Sequence, residues 1–180
     1  MSVLIVFAHP EPASFSAALK DRAVTTLLLR FPVWWFGMPA MMKGWVDRVF
    51  SRGFGYAAGR KYDRGHFKGK RAMLYLTTGT ASTLYEADGI DGDLLHVLRP
   101  IHNGMLAYTG FTVMPPFVAW MPGRVSSDER AAYLESLAAR LASLDTTEPL
   151  FFHPCEDYDE HQRLKPGVVA KSVVQWNPKT

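Results

Sequence analysis

The sequence predicts an α/β fold built on a doubly wound parallel sheet. Short apolar runs recur along the chain, and segments with helical apolar spacing separate them. The first run, Val3–Ala8, is apolar throughout, which is typical of a parallel strand buried on both faces. Three further strand runs cover residues 27–31, 72–77 and 111–114. Parallel neighbours need right-handed crossovers, so we expect helices on both faces of the sheet.

The intervals between the runs carry helix signals. After the first run, Ser14 or Ser16 can cap a helix that ends near Ala23. Pro39 suits the first position of the second helix. One face of that helix carries Met42, Trp45, Val46, Val49 and Phe50. A third helix covers residues 94–101, and we expect a kink at its proline.

A capping box from Ser126 to Glu129 starts the fourth helix. One side of it carries Leu134, Leu137, Leu141 and Leu144. The count of four strong strands is below the five or six or so that doubly wound sheets usually have. The deficit lies between Lys20 and Leu27, where little room is left for a turn.

Length and composition indicate one folded domain. The chain of 180 residues is long enough for a core of its own, and we predict a single domain over 1–180. A hydrophobic content of 48% and a charged content of 21% exclude wholesale disorder. Residues 148–180 show no clear periodicity and are predicted to form a C-terminal extension.

Charge and cysteine content limit the partners and the compartment that we expect for the protein. The net charge of +3 invites a nucleic-acid partner, but the basic residues cluster only at 60–71, among glycines. We therefore expect a solvated loop and no nucleic acid, with attraction to an anionic cofactor or lipid headgroup left open. A single cysteine, Cys155, excludes an internal disulfide and fits a reducing cytoplasm. No signal-peptide pattern or long apolar run indicates export or membrane insertion.

The most informative segment is Phe31–Ala40, with the sequence FPVWWFGMPA. It lies on a strand-to-helix turn, and ligands of open α/β sheets bind at the carboxyl ends of the strands. Two tryptophans and a phenylalanine beside prolines suit a flat aromatic ligand held face-on. The alternative is core packing, although three consecutive side chains cannot all face one side of a strand.

Three other segments are candidate sites. His9 and the serines near it could bind phosphate at a helix N-terminus, or merely cap the helix. The stretch Thr77-Thr78-Gly79 could offer polar donors to a ring edge, or form a plain turn. Tyr85 and Asp91 could move a proton or hydrogen-bond a substrate, or be ordinary turn residues. The six histidines are dispersed and predict no metal site.

These pieces, taken in order, resemble the NAD(P)H:quinone oxidoreductases (DT-diaphorase-like), flavoproteins with a flavodoxin-like fold. The resemblance covers the chain to about Pro154. It is carried by HPE…SFS at 9–16, FPVWWFGMP at 31–39, KGWVDRVF at 43–50, GFGY at 53–56, TTG at 77–79, Tyr85 and DGIDGD at 88–93. The tryptophan-containing block is the most specific of these motifs.

The resemblance implies a flavin site and its residues. The FAD phosphates and ribityl chain would be held by His9, Ser14, Phe15, Ser16 and Ala18. The isoalloxazine would be lined by Pro32, Val33, Trp34, Trp35 and Phe36, with Thr77, Thr78 and Gly79 at its polar edge. Nicotinamide and quinone would alternate in a pocket of Trp35, Phe36, Tyr56 and Tyr85. The family also implies a homodimer in which Tyr56 comes from the partner.

Three departures from the family pattern bear on this expectation. The family has a strand, a loop and a helix between its first helix and the tryptophan block, and this segment is missing near 25–26. We interpret it as omitted from the sequence. Asp91 stands where the vertebrate enzymes have a histidine paired with the tyrosine, which puts its role in a proton relay in doubt. Ala58 replaces a pocket tyrosine, so the pocket would be wider.

The sequence thus predicts an enzyme that moves a hydride from NAD(P)H through FAD, less expectedly FMN, to a quinone in a two-step ping-pong cycle. Tyr85 and Asp91 are the candidate catalytic residues. Three alternatives stay open at this point: an azo- or nitroreductase of the same fold, an ancillary regulatory subunit of a potassium efflux system with a membrane transporter as partner, and an inactive paralogue.

Overall fold

A computed structural model describes residues 3–7 and 25–171 of the chain. The strands in these ranges are β1 (Val3–Phe7), β2 (Thr26–Pro32), β3 (Arg71–Thr78), β4 (Thr112–Val113) and β5 (Phe117–Trp120). The helices are α1 (Ala40–Val49), α2 (Leu94–Val97), α3 (Arg99–Ile101) and α4 (Ser127–Ala142). A π-helical stretch, His102–Ala107, continues α3. The predicted helix that begins at Ser14 or Ser16 lies outside the described residues.

The strands form one sheet in which every pair is parallel, in the order β1-β2-β3. β4 pairs with the start of β3 and β5 with its end, so the two occupy successive parts of one edge. Pro115 and Pro116 lie between β4 and β5. They interrupt the pairing with β3, because proline has no N–H to donate to the ladder. The sequence prediction of a single strand at 111–114 therefore missed β5.

β1 and β2 pair directly, from Val3 opposite Thr26 to Phe7 opposite Arg30. A parallel pair needs a crossover of about a dozen residues or more, and residues 8–25 are long enough to provide it. The omission near 25–26 stays a prediction, since residues 8–24 lie outside the described ranges.

Successive residues of β2 point to opposite faces of the sheet and into two cores. Leu27, Leu29 and Phe31 pack on one face, against α1 and the helical segment after Leu98. Leu28 packs on the other face with Met73, where α4 covers the sheet. Both faces therefore carry helices, and the predicted doubly wound parallel architecture is confirmed.

Several helix details differ from the sequence prediction. Pro39 is the N-cap residue of α1, with an extended ψ of 147°, and does not take the first helical position. Pro100 lies in the first turn of α3, where its missing N–H breaks no helical bond, so the helix restarts there. In α4 the capping box is confirmed, but Leu134 is 63% exposed. Leu144 is buried beyond the end of α4.

Candidate active site

A tight turn follows β2 at the carboxyl end of the sheet. Trp34 and Gly37 exchange two backbone hydrogen bonds of 3.0 Å each, which close a two-residue loop. Its central residues, Trp35 and Phe36, have φ angles of 49° and 60°. Two positive values define a type I′ turn, which normally favours Asn and Gly. Aromatic residues are strained there by about 1–2 kcal/mol each.

This turn places flat rings and free backbone donors at the surface. Trp35 is 96% exposed, and Trp34 and Phe36 are exposed by half or more. The backbone N–H groups of Trp35 and Phe36 have no hydrogen-bond partner in the described part of the chain. Exposed rings next to free donors are available to a ligand that stacks on the rings and accepts hydrogen bonds from the backbone.

The end of β3 lies beside the turn, because the Val33 N–H donates to the Thr77 carbonyl at 2.8 Å. The buried Thr78 hydroxyl donates to the Thr80 carbonyl at 2.8 Å. Gly79 is exposed, and a Cβ built on it would meet nothing within 4 Å. Thr77 and Gly79 thus form an open polar edge next to the aromatic turn.

Tyr85 connects the turn to the end of β5. It is only 9% exposed and ends a short 3-10 turn, Ser82–Tyr85. The Phe36 ring meets the Tyr85 ring edge-on with centroids 6.5 Å apart, and the Trp120 and Tyr85 ring centroids are 5.6 Å apart. The sequence analysis missed Trp120, although the apolar run at 117–120 after two prolines is a strand signal that could have found it.

Asp91 closes the same loop through its backbone. Its N–H donates to the Leu84 carbonyl at 3.0 Å, and its side chain is half-buried. The loop is tight because a Cβ on Gly89 would lie 2.3 Å from the Leu84 carbonyl oxygen. The backbone of Asp91 is therefore held beside Leu84, the residue before Tyr85. A shared role of Asp91 and Tyr85 stays a prediction.

The other candidate residues lie elsewhere. The Tyr56 ring packs edge-on against Tyr108 at 5.6 Å and makes no described ring contact with Phe36 or Tyr85. Ala58 lies in the same loop as Tyr56 and is exposed. His9, Ser14, Phe15, Ser16 and Ala18 fall outside the described residues.

The described residues contain neither a metal-binding cluster nor a membrane-spanning helix. Within the described ranges, no three His, Cys, Asp or Glu side chains are grouped so that they could hold a metal ion. In the same ranges, no helix has both the length and the apolar character to cross a bilayer.

The fold of the chain is that of a known protein family. The sequence profile described as flavodoxin-like fold matches residues 22–141, which is most of the chain. The chain belongs to the flavodoxin-like family. The sheet described above, with its helices on both faces, is the architecture that membership requires.

Among members of this flavodoxin-like family, the chain is similar to quinone-reducing enzymes. It is 35% identical to NAD(P)H dehydrogenase (quinone) 1 of Rattus norvegicus over 89% of this chain and 58% of that protein. It is 39% identical to ribosyldihydronicotinamide dehydrogenase (quinone) of Mus musculus, covering 78% and 61%. The chain thus spans about three-fifths of the length of these two relatives.

A solved structure supports the same grouping. The crystal structure of a candidate quinone reductase from Klebsiella pneumoniae superposes with a TM-score of 0.80 at 36% identity, covering 89% of this chain and 67% of the other. The predicted resemblance to the NAD(P)H:quinone oxidoreductases is confirmed at the level of sequence and fold.

Proposed function

We propose that the protein is a flavin-dependent NAD(P)H:quinone oxidoreductase. The observation that carries the proposal is the strained Trp34–Gly37 turn, which holds exposed rings and free N–H groups beside Tyr85 at the strand ends. Strain of this kind persists where a functional surface needs it. The similarity to quinone dehydrogenases supports the same activity.

The residues at the strand ends fit a flavin ring. Trp35 offers an uncovered aromatic face, while the free N–H groups of Trp35 and Phe36 can donate to ring nitrogens and carbonyls. Thr77 and Gly79 provide an open edge for the polar side of the ring. The bound flavin would supply the hydride chemistry between NAD(P)H and a quinone, which use the same place in turn. FAD, with FMN as the less expected choice, would have its phosphates held by the His9 and Ser14–Ala18 segment.

The protein groups near the ring would orient the quinone and hold a proton. The Tyr85 hydroxyl makes no hydrogen bond within the described ranges, while its ring contacts the rings of Phe36 and Trp120. We propose that this hydroxyl donates to the developing hydroquinone oxygen. Asp91 would hold the loop that carries Tyr85, since its backbone bonds to Leu84.

The proposal includes a cytoplasmic homodimer. The Tyr56 ring lies away from Phe36 and Tyr85 within one chain. If Tyr56 lines the quinone pocket, as the family resemblance implies, it has to reach the site of a second copy.

The test is to purify the protein, release any bound flavin and identify it by chromatography. We expect a yellow protein, and parallel lines in double-reciprocal plots of quinone reduction at several NAD(P)H concentrations. A protein that stays colourless after incubation with FAD or FMN would overturn the proposal. Intersecting lines would contradict the ping-pong cycle alone, and a strong preference for azo dyes would favour an azoreductase.

A further inference from the structure

The Trp34–Gly37 turn, the end of β3 and the Tyr85 loop together form the strand-end site. A second concave region lies away from it. It is a cavity of about 1180 Å³ between the loop at 58–64, the helical segment at 99–108 and the chain at 152–165. None of its lining residues belongs to the Trp34–Gly37 turn, the end of β3 or the Tyr85 loop. Ligand sites for small molecules commonly have about 300–1,000 Å³, and this cavity is slightly larger, so an aromatic ligand and water fit into it together.

One wall of the cavity is basic. Lys61, Arg64 and Arg99 line it together with Tyr62 and Tyr108. None of the three cations forms an ion pair with a carboxylate in the described ranges. The Lys61 ammonium instead lies 5.4 Å above the Tyr108 ring. Unpaired cations beside aromatic rings suit a ligand that is both flat and negatively charged.

The tyrosines of this wall form a rigid row. Tyr62 packs edge-on against Tyr108 with centroids 5.4 Å apart, and its φ of 51° is strained for a residue with a side chain. Burial raises the pKa of Tyr62, so its phenol stays protonated and can donate to an anion. The wall is therefore preformed and requires little rearrangement to bind.

The chain at 152–165 adds the carboxylates Glu156, Asp159 and Glu160 to the lining. None of these three carboxylates lies within ion-pair distance of Lys61, Arg64 or Arg99. Asp159 accepts the N–H groups of His161 and Arg163, each at 2.9 Å. The chain that bears them is anchored to the loop at 58–64, since the Cys155 N–H donates to Asp63 at 2.8 Å.

The basic wall continues into the loop that carries Tyr56. Tyr108 contacts the Tyr56 ring, and Ala58 is one of the residues that line the cavity. We infer that the cavity holds the negatively charged group of an anionic aromatic electron acceptor and thereby selects such acceptors. This inference rests on the proposed function, because Tyr56 has to bring the cavity beside the strand-end site of a second copy. No new chemical step is involved, only the choice of acceptor.

The test compares an ionised hydroxynaphthoquinone with its neutral methyl ether. The ratio of their kcat/KM values is measured for the full chain and for Lys61→Met, Arg64→Gln and the double variant. Lys68→Met is the matched control, since Lys68 is an exposed lysine of a nearby loop and does not line the cavity. The intrinsic reactivities cancel because each variant is compared on the same two acceptors.

We expect each single variant to lower the ratio of anion to ether by about fivefold, as for a lost half-exposed charge contact, and Lys68→Met to leave it unchanged. Added salt should lower the ratio in the unchanged protein. Glu156→Gln should raise it. An unchanged ratio in the double variant, or a loss confined to kcat/KM for NAD(P)H, would overturn the inference while leaving the proposed function intact. Failure of the unchanged protein to reduce either acceptor would remove the proposed function itself.

Discussion

The strand-end site and the basic cavity are built in opposite ways. Parallel strands end together at the first, so Trp35, Thr77 and Trp120 meet there as a consequence of sheet geometry. The cavity is enclosed by a loop, a helical segment and a late part of the chain that meet only in the folded protein. The first offers flat faces and backbone donors, whereas the second offers cations. We therefore expect them to respond to different perturbations.

Acid should lower the free energy of unfolding through His102, which lies in the helical segment beside the cavity. This residue lies in the π-helical stretch between Arg99 and Tyr108, and its Nε2 is buried without a hydrogen bond. Burial lowers the pKa of His102 from 6.5 to about 4. Between pH 6.5 and about 4, the His102 imidazole is protonated in the unfolded chain but neutral in the folded protein. Stability therefore falls as the pH drops through this window, by about 3 kcal/mol in total.

Urea unfolding from about pH 7 to about pH 4 measures this loss. The variant His102→Gln cannot titrate at this position. Its free energy of unfolding should therefore fall less steeply as the pH is lowered. Equal slopes in the two proteins would show that His102 is not the source of the acid sensitivity.

A glycine pair tests the loop that carries Tyr85. In Gly89→Ala the new Cβ would meet the Leu84 carbonyl, so the loop must shift. We expect a loss of about 2 kcal/mol in the free energy of unfolding and a fall in quinone reduction. Gly123→Ala is the control, because its Cβ meets nothing within 4 Å, φ is not positive there and Gly123 is not part of the proposed flavin site. Similar losses in both variants would mean that the Tyr85 loop is not specially constrained.

The strain in the type I′ turn predicts a smaller effect of opposite sign. Trp35→Asn should raise the free energy of unfolding by about 1 kcal/mol, because Asn tolerates positive φ and the Trp35 ring is almost fully exposed. Trp34→Asn is the control, since Trp34 is also exposed but is not among the residues with positive φ. Thermal denaturation of both variants makes the comparison, and a destabilised Trp35→Asn would contradict the claim of strain.

Sequence reasoning reached the two regions unequally. The strands and the aromatic turn could be predicted because apolar periodicity and turn residues are local. β5 and Trp120 were missed because Pro115 and Pro116 interrupt a short run. The π-helical stretch and the cavity could not be predicted, since both depend on how residues 99–108 pack against distant chain.

The most direct test of the account is the flavin dissociation constant of two matched variants, Trp35→Leu and Tyr108→Leu, followed by quenching of flavin fluorescence. If the flavin lies at the strand ends, losing the exposed Trp35 ring should weaken binding by about tenfold. Losing the Tyr108 ring in the cavity should change it by less than about twofold, since the cavity is proposed to hold the charged group of the acceptor and not the flavin. The reverse pattern, in which Tyr108→Leu binds flavin more weakly than Trp35→Leu, would contradict the claim that the flavin lies at the strand ends.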